Sequence, residues 1–496
     1  MKRPLQKLGT AVVVLMTILL VNITYIQVVK SDAYRSDPNN TRTLLEEYNR
    51  QRGQITAAGG VVLARSDQST DQYRYQRVYP GGAMYANLTG FYSLRYGATG
   101  VERTYNDVLS GDDPDLIVDR LSDLITGRDP RGGNVELSVV PAVQKAAYQG
   151  LVSRGYVGAV VALQPKTGAI LAMATSPSFN PNPLASHSEA TQRKAYNALV
   201  APADTSAPSP LLNRPIQAVY PPGSTFKQVV SAGALQHDYT PETMVTGDAT
   251  ITLPGTGGAT LSNYGNETCA DAGGAEVTLT EAFAHSCNTA FAEVGMDIGA
   301  DVLRNQAAAF GIDGQPSDVG LPVVGSRVGP MSDDAAVAQS SIGQRDVALT
   351  PMANAIVAAT IANGGERMNP YLVNKVTKPD LSVMTQTEPS AAGQAIPQAV
   401  ADQLRGMMIQ SEKDMTGGGM SGLVVASKTG TAEHGVDSKN TPPHAWYVAF
   451  APADNPQVAV AVLVENGGDK GLDATGATVA APIGHEVIAA AVKGGS

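Results

Sequence analysis

Positive charge is what this chain lacks most. Its 35 Lys and Arg stand against 45 Asp and Glu, a formal charge of −10, and no stretch gathers the basic residues into a stripe. That balance excludes a nucleic-acid partner, whose binders concentrate Lys and Arg on one face. The six histidines show no metal-ligand spacing, so neither a metal nor another cofactor is expected. Cysteine is nearly absent, with two residues, and no internal repeat is evident. What is abundant is apolar material, 43% over 496 residues. That is enough for a sizeable core and too long for one ordinary domain, so two or three folded units are expected.

Long uncharged runs are confined to the N-terminus. Lys2, Arg3 and Lys7 precede "LGTAVVVLMTILLVNITYIQVV", which carries no charge. About twenty such residues at ~1.5 Å each cross a hydrocarbon core of ~30 Å. A cleaved signal peptide would have a shorter run ending in a small-x-small site. Here the run continues through Asn22, Tyr25 and Gln27 without one. The sequence therefore predicts a short tail over 1–8 and an uncleaved anchor over 9–30. Positive charge before the span keeps the tail in the cytoplasm. Everything after about Lys30 is then extracytoplasmic, on a single-pass membrane protein. That compartment permits a disulfide between Cys269 and Cys287. Closing a loop of that size is worth roughly 3 kcal/mol in the chain-entropy model. Two buried, unpaired thiols are the alternative, and spacing alone leaves both open.

Beyond the anchor the texture changes once. Residues 31 to about 145 are polar and loop-rich, with "DPNN", "DQSTDQYRYQ" and "SGDDPD" as turn clusters. From about 146 to 496 the chain is dense in apolar segments. "GAVVALQPKTGAILAMAT" reads as a hairpin turning at Gln164–Gly168. Helical patterns follow over 224–236, 279–296 and 347–363. "LVVASKTGTAE", "AWYVAFAP" and "QVAVAVLVENG" read as three late strands, and "VAAPIGHEVIAAAVK" as a closing helix. Strands at both ends with helices between imply one α/β domain whose sheet is completed by distant segments.

The sharpest local signal is "YPPGSTFKQVV". Pro221, Pro222 and Gly223 end what precedes, and Ser224 sits where the helix pattern begins. Residues three apart share a helix face, which places Lys227 beside Ser224. A serine hydroxyl needs an adjacent base to become a nucleophile. A lysine can serve once burial depresses its pKa. A capping serine followed by an exposed lysine is the bland reading. Two further pieces count against it: "AHSCNTAF" supplies Ser286 and Asn288, and "ASKTGTAE" supplies Lys428, Thr429, Gly430 and Thr431. Each has decoys. Ser178-Phe179-Asn180 and Lys166-Thr167-Gly168 precede the nucleophile, and Ser438-Lys439-Asn440 follows the Lys-Thr-Gly stretch. Ser-x-x-Lys, Ser-x-Asn and Lys-Thr-Gly in that order are the set found in β-lactamases and penicillin-binding proteins.

From about residue 155 onward the chain resembles the transpeptidase domain of penicillin-binding proteins. "RGQITAAGGVVLA" and "GATGVERTYNDVLSG" are similar to the pedestal region of the class B members. The short pedestal and the Ala/Gly richness resemble an actinobacterial subgroup within them. The resemblance implies an α/β transpeptidase domain with a central antiparallel sheet flanked by helices. Before it would come a smaller α+β pedestal, dimerisation-like, and one transmembrane helix. It implies that Ser224 attacks the penultimate D-Ala of a stem peptide, Lys227 takes its proton, and Ser286 relays a proton to the leaving amine. Asn288 would bind the substrate peptide, Lys428 would add positive potential, and Thr429 and Thr431 would hold the terminal carboxylate around Gly430. Lipid-linked precursor glycan is the implied substrate and β-lactams the covalent inhibitors, with a separate glycosyltransferase or division proteins as partners. The roughly 110 residues before the transpeptidase are too few for a class A glycosyltransferase domain. A D,D-carboxypeptidase, or a largely non-catalytic penicillin-binding scaffold, are the alternatives.

Overall fold

A computed structural model describes residues 2–30, 47–116, 131–200, 208–417, 419–435 and 437–494. The turn cluster expected at 37–40 lies outside them. Helix α1 (Lys2–Val28) takes in the basic residues of the expected tail as well as the apolar run after them. Its Gln6–Val28 stretch is long and apolar enough to cross a membrane, and none of it is buried against the rest of the chain.

The strands β1 (Ile55–Thr56), β2 (Val62–Gln68), β3 (Tyr75–Val78) and β4 (Asn134–Leu137) build the N-terminal unit. The chain then runs through α2 (Pro141–Val152), the hairpin β5 (Gly158–Leu163) and β6 (Ile170–Ser176), and the helices α3 (Lys227–Ala234), α4 (Leu279–Ala284), α5 (Asn288–Ala309) and α6 (Pro351–Ala362). It closes with β7 (Val373–Thr377), β8 (Val383–Gln386), α7 (Gln398–Met415), β9 (Ala426–Ala432), β10 (His444–Ala451), β11 (Val458–Val464) and α8 (Ala481–Gly494).

The central sheet has the order β9-β10-β11-β5-β6 and is antiparallel at every pairing. The hairpin from the start of the domain thus joins three strands from its end, as the spacing of apolar runs implied. Every residue of β5, β10 and β11 is buried, because helices cover both faces. Val143 and Leu151 of α2 and Ile483 and Val487 of α8 pack on one face. Val229 of α3, Val357 of α6 and Leu404 of α7 pack on the other. A strand covered on both sides is apolar at every position, so these segments read as continuous runs and not as alternation.

Three boundaries differ from the sequence reading. The N-terminal sheet has the order β8-β7-β4-β1-β2-β3, so residues 373–386 complete it although they fall within 146–496. A cut at 145 therefore does not separate the two sheets. The pattern over 279–296 is also two helices, interrupted at Ser286, whose φ of +62° no α-helix can contain. Likewise α6 begins at Pro351 and not at 347. The Thr350 side chain caps it by accepting from Ala353 N–H. Leu349 instead exchanges two backbone hydrogen bonds with Tyr220, each 2.9 Å.

Candidate active site

The nucleophile turn is built by backbone geometry before chemistry enters. Gly223–Phe226 forms a 3-10 turn, and the α-helix proper opens at Lys227 rather than at Ser224. Gly223 has φ +52°, the left-handed region that glycine enters without strain. Its N–H donates to Gly343 O at 3.0 Å. Trp446 Nε1 donates to Pro221 O at 3.0 Å. Thr225 Oγ1 donates to Pro222 O and accepts from Asn354 Nδ2, each at 2.9 Å. The turn also presses against β9. A Cβ on Gly223 would lie 2.8 Å from Thr431 O, and one on Gly430 would lie 3.0 Å from Pro222 O. The Pro-Pro-Gly before Ser224 and the Gly in Lys-Thr-Gly are thus two halves of one close backbone contact.

Lys227 is wholly buried, yet its amine is fully occupied. Nζ lies 3.1 Å from Ser224 Oγ, 2.6 Å from Ser286 O and 2.8 Å from Asn288 Oδ1, with Ser286 Oγ at 3.4 Å. Asn288 Nδ2 donates to Ser262 O at 3.2 Å, which fixes its Oδ1 toward the lysine. A neutral amine has two N–H groups and one lone pair. The backbone carbonyl and the amide oxygen can only accept, so they take the two N–H groups, and the lone pair faces Ser224. Burial, reinforced by the charge of Lys428, holds this amine well below the ordinary lysine range. The Phe291 ring stands 5.4 Å from Nζ.

The second motif occupies the break between α4 and α5. Thr278 and Glu281 form a capping box at the start of α4. Asn263 Oδ1 accepts from Thr289 N–H at 3.0 Å at the start of α5. Cys269 and Cys287 are disulfide-bonded, with Cα atoms 5.5 Å apart. The bond ties the loop carrying Ser262 and Asn263 to the residue between Ser286 and Asn288.

On β9, successive side chains point to opposite faces. Thr429, Gly430 and Thr431 line a cleft of about 1340 Å³ together with Ser224, Ser286 and Asn288. Lys428 does not open onto it. Its amine is wholly buried, lies 5.6 Å from the Phe283 ring and donates to Thr429 O at 3.2 Å. Burial pushes it down to about 7. Ser427, one residue earlier, donates to the buried carboxylate of Glu412, which also accepts from Tyr447 OH at 2.9 Å and meets His485 Nε2 at 2.8 Å. Sequence reasoning passed over Glu412, because an acid on a helix carries no signal of burial.

Six of the eight predicted residues, Ser224, Ser286, Asn288, Thr429, Gly430 and Thr431, line one cleft. Lys227 lies buried beneath Ser224, and Lys428 is buried behind β9 without reaching the cleft. The decoys are elsewhere or differently engaged. Ser178 donates to Ala83 O at 2.7 Å and Lys166 to Asn455 Oδ1 at 3.1 Å. Ser438 and Lys439 do reach the rim of the cleft, where Ser438 bonds Glu433 Oε2 at 3.0 Å.

A serine facing the lone pair of a desolvated lysine, beside a second hydroxyl and under a strand edge, defines a serine acyl-transferring enzyme. Comparison with known proteins narrows the class. Residues 158–489 match the penicillin binding protein transpeptidase domain, and residues 52–135 match the penicillin binding protein A dimerisation domain. The chain belongs to the penicillin-binding protein transpeptidases. It is 50% identical, over 100% of both chains, to peptidoglycan D,D-transpeptidase PbpA of Mycolicibacterium smegmatis and to that of Mycobacterium tuberculosis. The solved structure of penicillin-binding protein A from M. tuberculosis as a ceftriaxone acyl-enzyme complex superposes with a TM-score of 0.87 at 51% identity. It covers 90% of this chain and 100% of its own. The penicillin G acyl-enzyme complex superposes at 0.85 and 51%, covering 89% of this chain and 100% of its own.

Proposed function

We infer that this protein is a peptidoglycan D,D-transpeptidase that forms its acyl-enzyme at Ser224. The observation that carries the reading is the Lys227 amine, 3.1 Å from Ser224 Oγ with both its N–H groups held by other acceptors. Ser224 Oγ attacks the penultimate D-Ala carbonyl of a stem peptide ending in D-Ala-D-Ala, and its proton passes to Lys227. The backbone N–H groups of Ser224 and Thr431 receive the oxyanion, a contribution typically worth 10²–10³ in rate per donor. As the C–N bond breaks, the departing D-Ala amine takes a proton relayed from Lys227 through Ser286. Thr429 and Thr431 hold the terminal carboxylate, with Lys428 adding positive potential from behind the strand. Asn288 offers its second Nδ2–H to the substrate peptide. An amine of a neighbouring stem then attacks the ester, the C–O bond breaks, and Ser224 regains its proton through Lys227. β-Lactams acylate the same serine.

Helix α1 serves as the anchor, with Lys2, Arg3 and Lys7 on the cytoplasmic side and the remainder outside, facing lipid-linked precursor glycan. A separate glycosyltransferase or division proteins would supply the strands it cross-links. The test is labelling of the protein by a fluorescent penicillin, with intact mass and peptide mapping. A persistent adduct on Ser224, absent in Ser224→Ala, is expected. No adduct on folded protein would overturn the acyl-enzyme. An adduct lost to water within seconds would mark a hydrolase instead.

A further inference from the structure

We propose that Gln344 is a positioning residue that braces the oxyanion hole. The inference rests on the reading above, in which Ser224 and Thr431 supply its two N–H groups. Those donors come from segments far apart in sequence, the nucleophile turn and β9, and their spacing decides whether both reach one oxygen. The turn containing Gln344 touches both. Gly343 O accepts from Gly223 N–H at 3.0 Å, one residue before Ser224. A Cβ on Gly343 would lie 2.0 Å from Gly223 O, so this contact is backbone on backbone. The Gln344 side chain reaches the other way. In the amide orientation that pairs donor with acceptor, Nε2 donates to Glu433 O at 3.1 Å and Oε1 accepts from Glu433 N–H at 3.0 Å. Glu433 lies two residues beyond Thr431, just past the end of β9. The Gly343–Gln344 pair therefore spans the two strips of backbone that form the hole, Gly343 by its carbonyl on one side and Gln344 on the other by a two-bond pairing of the kind that joins strands. Gln344 lines the cleft and is only half-buried, so the fold does not depend on it for core packing.

The experiment measures β-lactam acylation of the full-length protein, separating the non-covalent dissociation constant from the acylation rate constant. A second readout is affinity for a peptidic boronic acid, which adds reversibly to the serine and places an oxygen in the hole. For Gln344→Ala we expect an acylation rate constant lower by about 10- to 100-fold, the scale set by sub-ångström misplacement and by losing a hole donor. The boronic acid should weaken by at least about tenfold, while non-covalent affinity and melting temperature stay near wild type. Gln344→Glu keeps the acceptor for Glu433 N–H but turns a carboxylate oxygen toward Glu433 O, and should show the same split. Should Gln344→Ala fail to fold, Gln344→Glu carries the test. Rate constant and boronate affinity both within about threefold of wild type would overturn the proposal, as would losses matched by weaker non-covalent binding. Failure of the underlying reading looks different: the wild-type protein itself would take no label on Ser224.

Discussion

The charge of Lys428 adds to burial in holding the Lys227 amine below its ordinary range, while burial alone brings Lys428 to about 7. Neither has a carboxylate partner among the described residues. The two amines are needed in opposite states. Lys227 must be neutral to accept the proton of Ser224, so acylation rises as pH climbs through its depressed pKa. Lys428 must be charged to draw the substrate carboxylate, so activity falls as pH climbs past about 7. The second-order acylation constant should be bell-shaped, with its alkaline limb near neutrality. Stopped-flow acylation across pH checks this. Lys428→Arg, whose charge persists at any accessible pH, should remove the alkaline limb, and a limb unchanged in that variant would assign it elsewhere.

Removing the base tests its role more bluntly. Lys227→Met keeps the apolar stem and deletes the amine, and general-base loss typically costs 10²–10⁴ in rate. Penicillin labelling of Ser224 should slow by that range with the melting temperature maintained. A slowing of less than about tenfold would mean that Ser224 finds its base elsewhere.

The same burial makes these lysines a stability cost. Lys428 ionises near 10.4 in an unfolded chain but at about 7 when folded. The unfolded state thus binds more protons between those values, and stability rises with pH across that window. Below about 7 the full cost applies, on the order of a few kcal/mol. Lys428→Met should therefore raise stability most below neutrality, with the gain shrinking toward pH 10 as acylation is lost throughout. Denaturant melts at several pH values read this directly. No gain at low pH would show that the amine is better solvated in solution than its burial implies.

How legible all this was depends on how local the signal is. Ser224, Lys227 and the Lys-Thr-Gly strand were readable because each sits in a short motif, and the order of the motifs separated them from the decoys. The central sheet was readable because its buried strands are unbroken apolar runs. What stayed hidden depends on long-range partners. Residues 373–386 look like any other strand pair, and only the pairing of β7 with β4, with β8 added on its far side, places them in the N-terminal sheet. The break at Ser286 is invisible in a run of helix-compatible residues, since the partners it meets there, Cys269 and Asn263, lie outside that run. Gln344 and Glu412 carry no motif, and their importance comes entirely from what lies opposite them.

Glu412 makes a prediction of its own. Burial by itself would push its carboxyl up, but hydrogen bonds from His485, Ser427 and Tyr447 outweigh that and hold it below the usual range. A carboxylate with a lowered folded pKa stabilises above its unfolded value, and that stability is lost as pH falls below about 4.5. Glu412→Ala would leave two hydroxyls and an imidazole at a buried site without their acceptor. The expected loss is about 2–5 kcal/mol at neutral pH, shrinking in acid. A variant within about 0.5 kcal/mol of wild type in chemical denaturation would show that water replaces the carboxylate there.

The disulfide is best understood by weighing it against the strain beside it. Ser286 holds a left-handed φ of +62°, a conformation costing ~1–3 kcal/mol for a residue with a side chain. Closing the loop from Cys269 to Cys287 offsets it by roughly 3 kcal/mol. The Asn263 cap and the Asn288–Ser262 hydrogen bond act on the same segment and do not require the sulfur bridge. The paired variant Cys269→Ser with Cys287→Ser should therefore lose about 3 kcal/mol of stability yet still acylate at a rate within about tenfold of wild type. Thermal melts with and without reductant, run beside fluorescent-penicillin kinetics, distinguish the outcomes. A collapse of acylation at unchanged stability would mean that the bridge, and not the hydrogen-bonded caps, sets the geometry of Ser286.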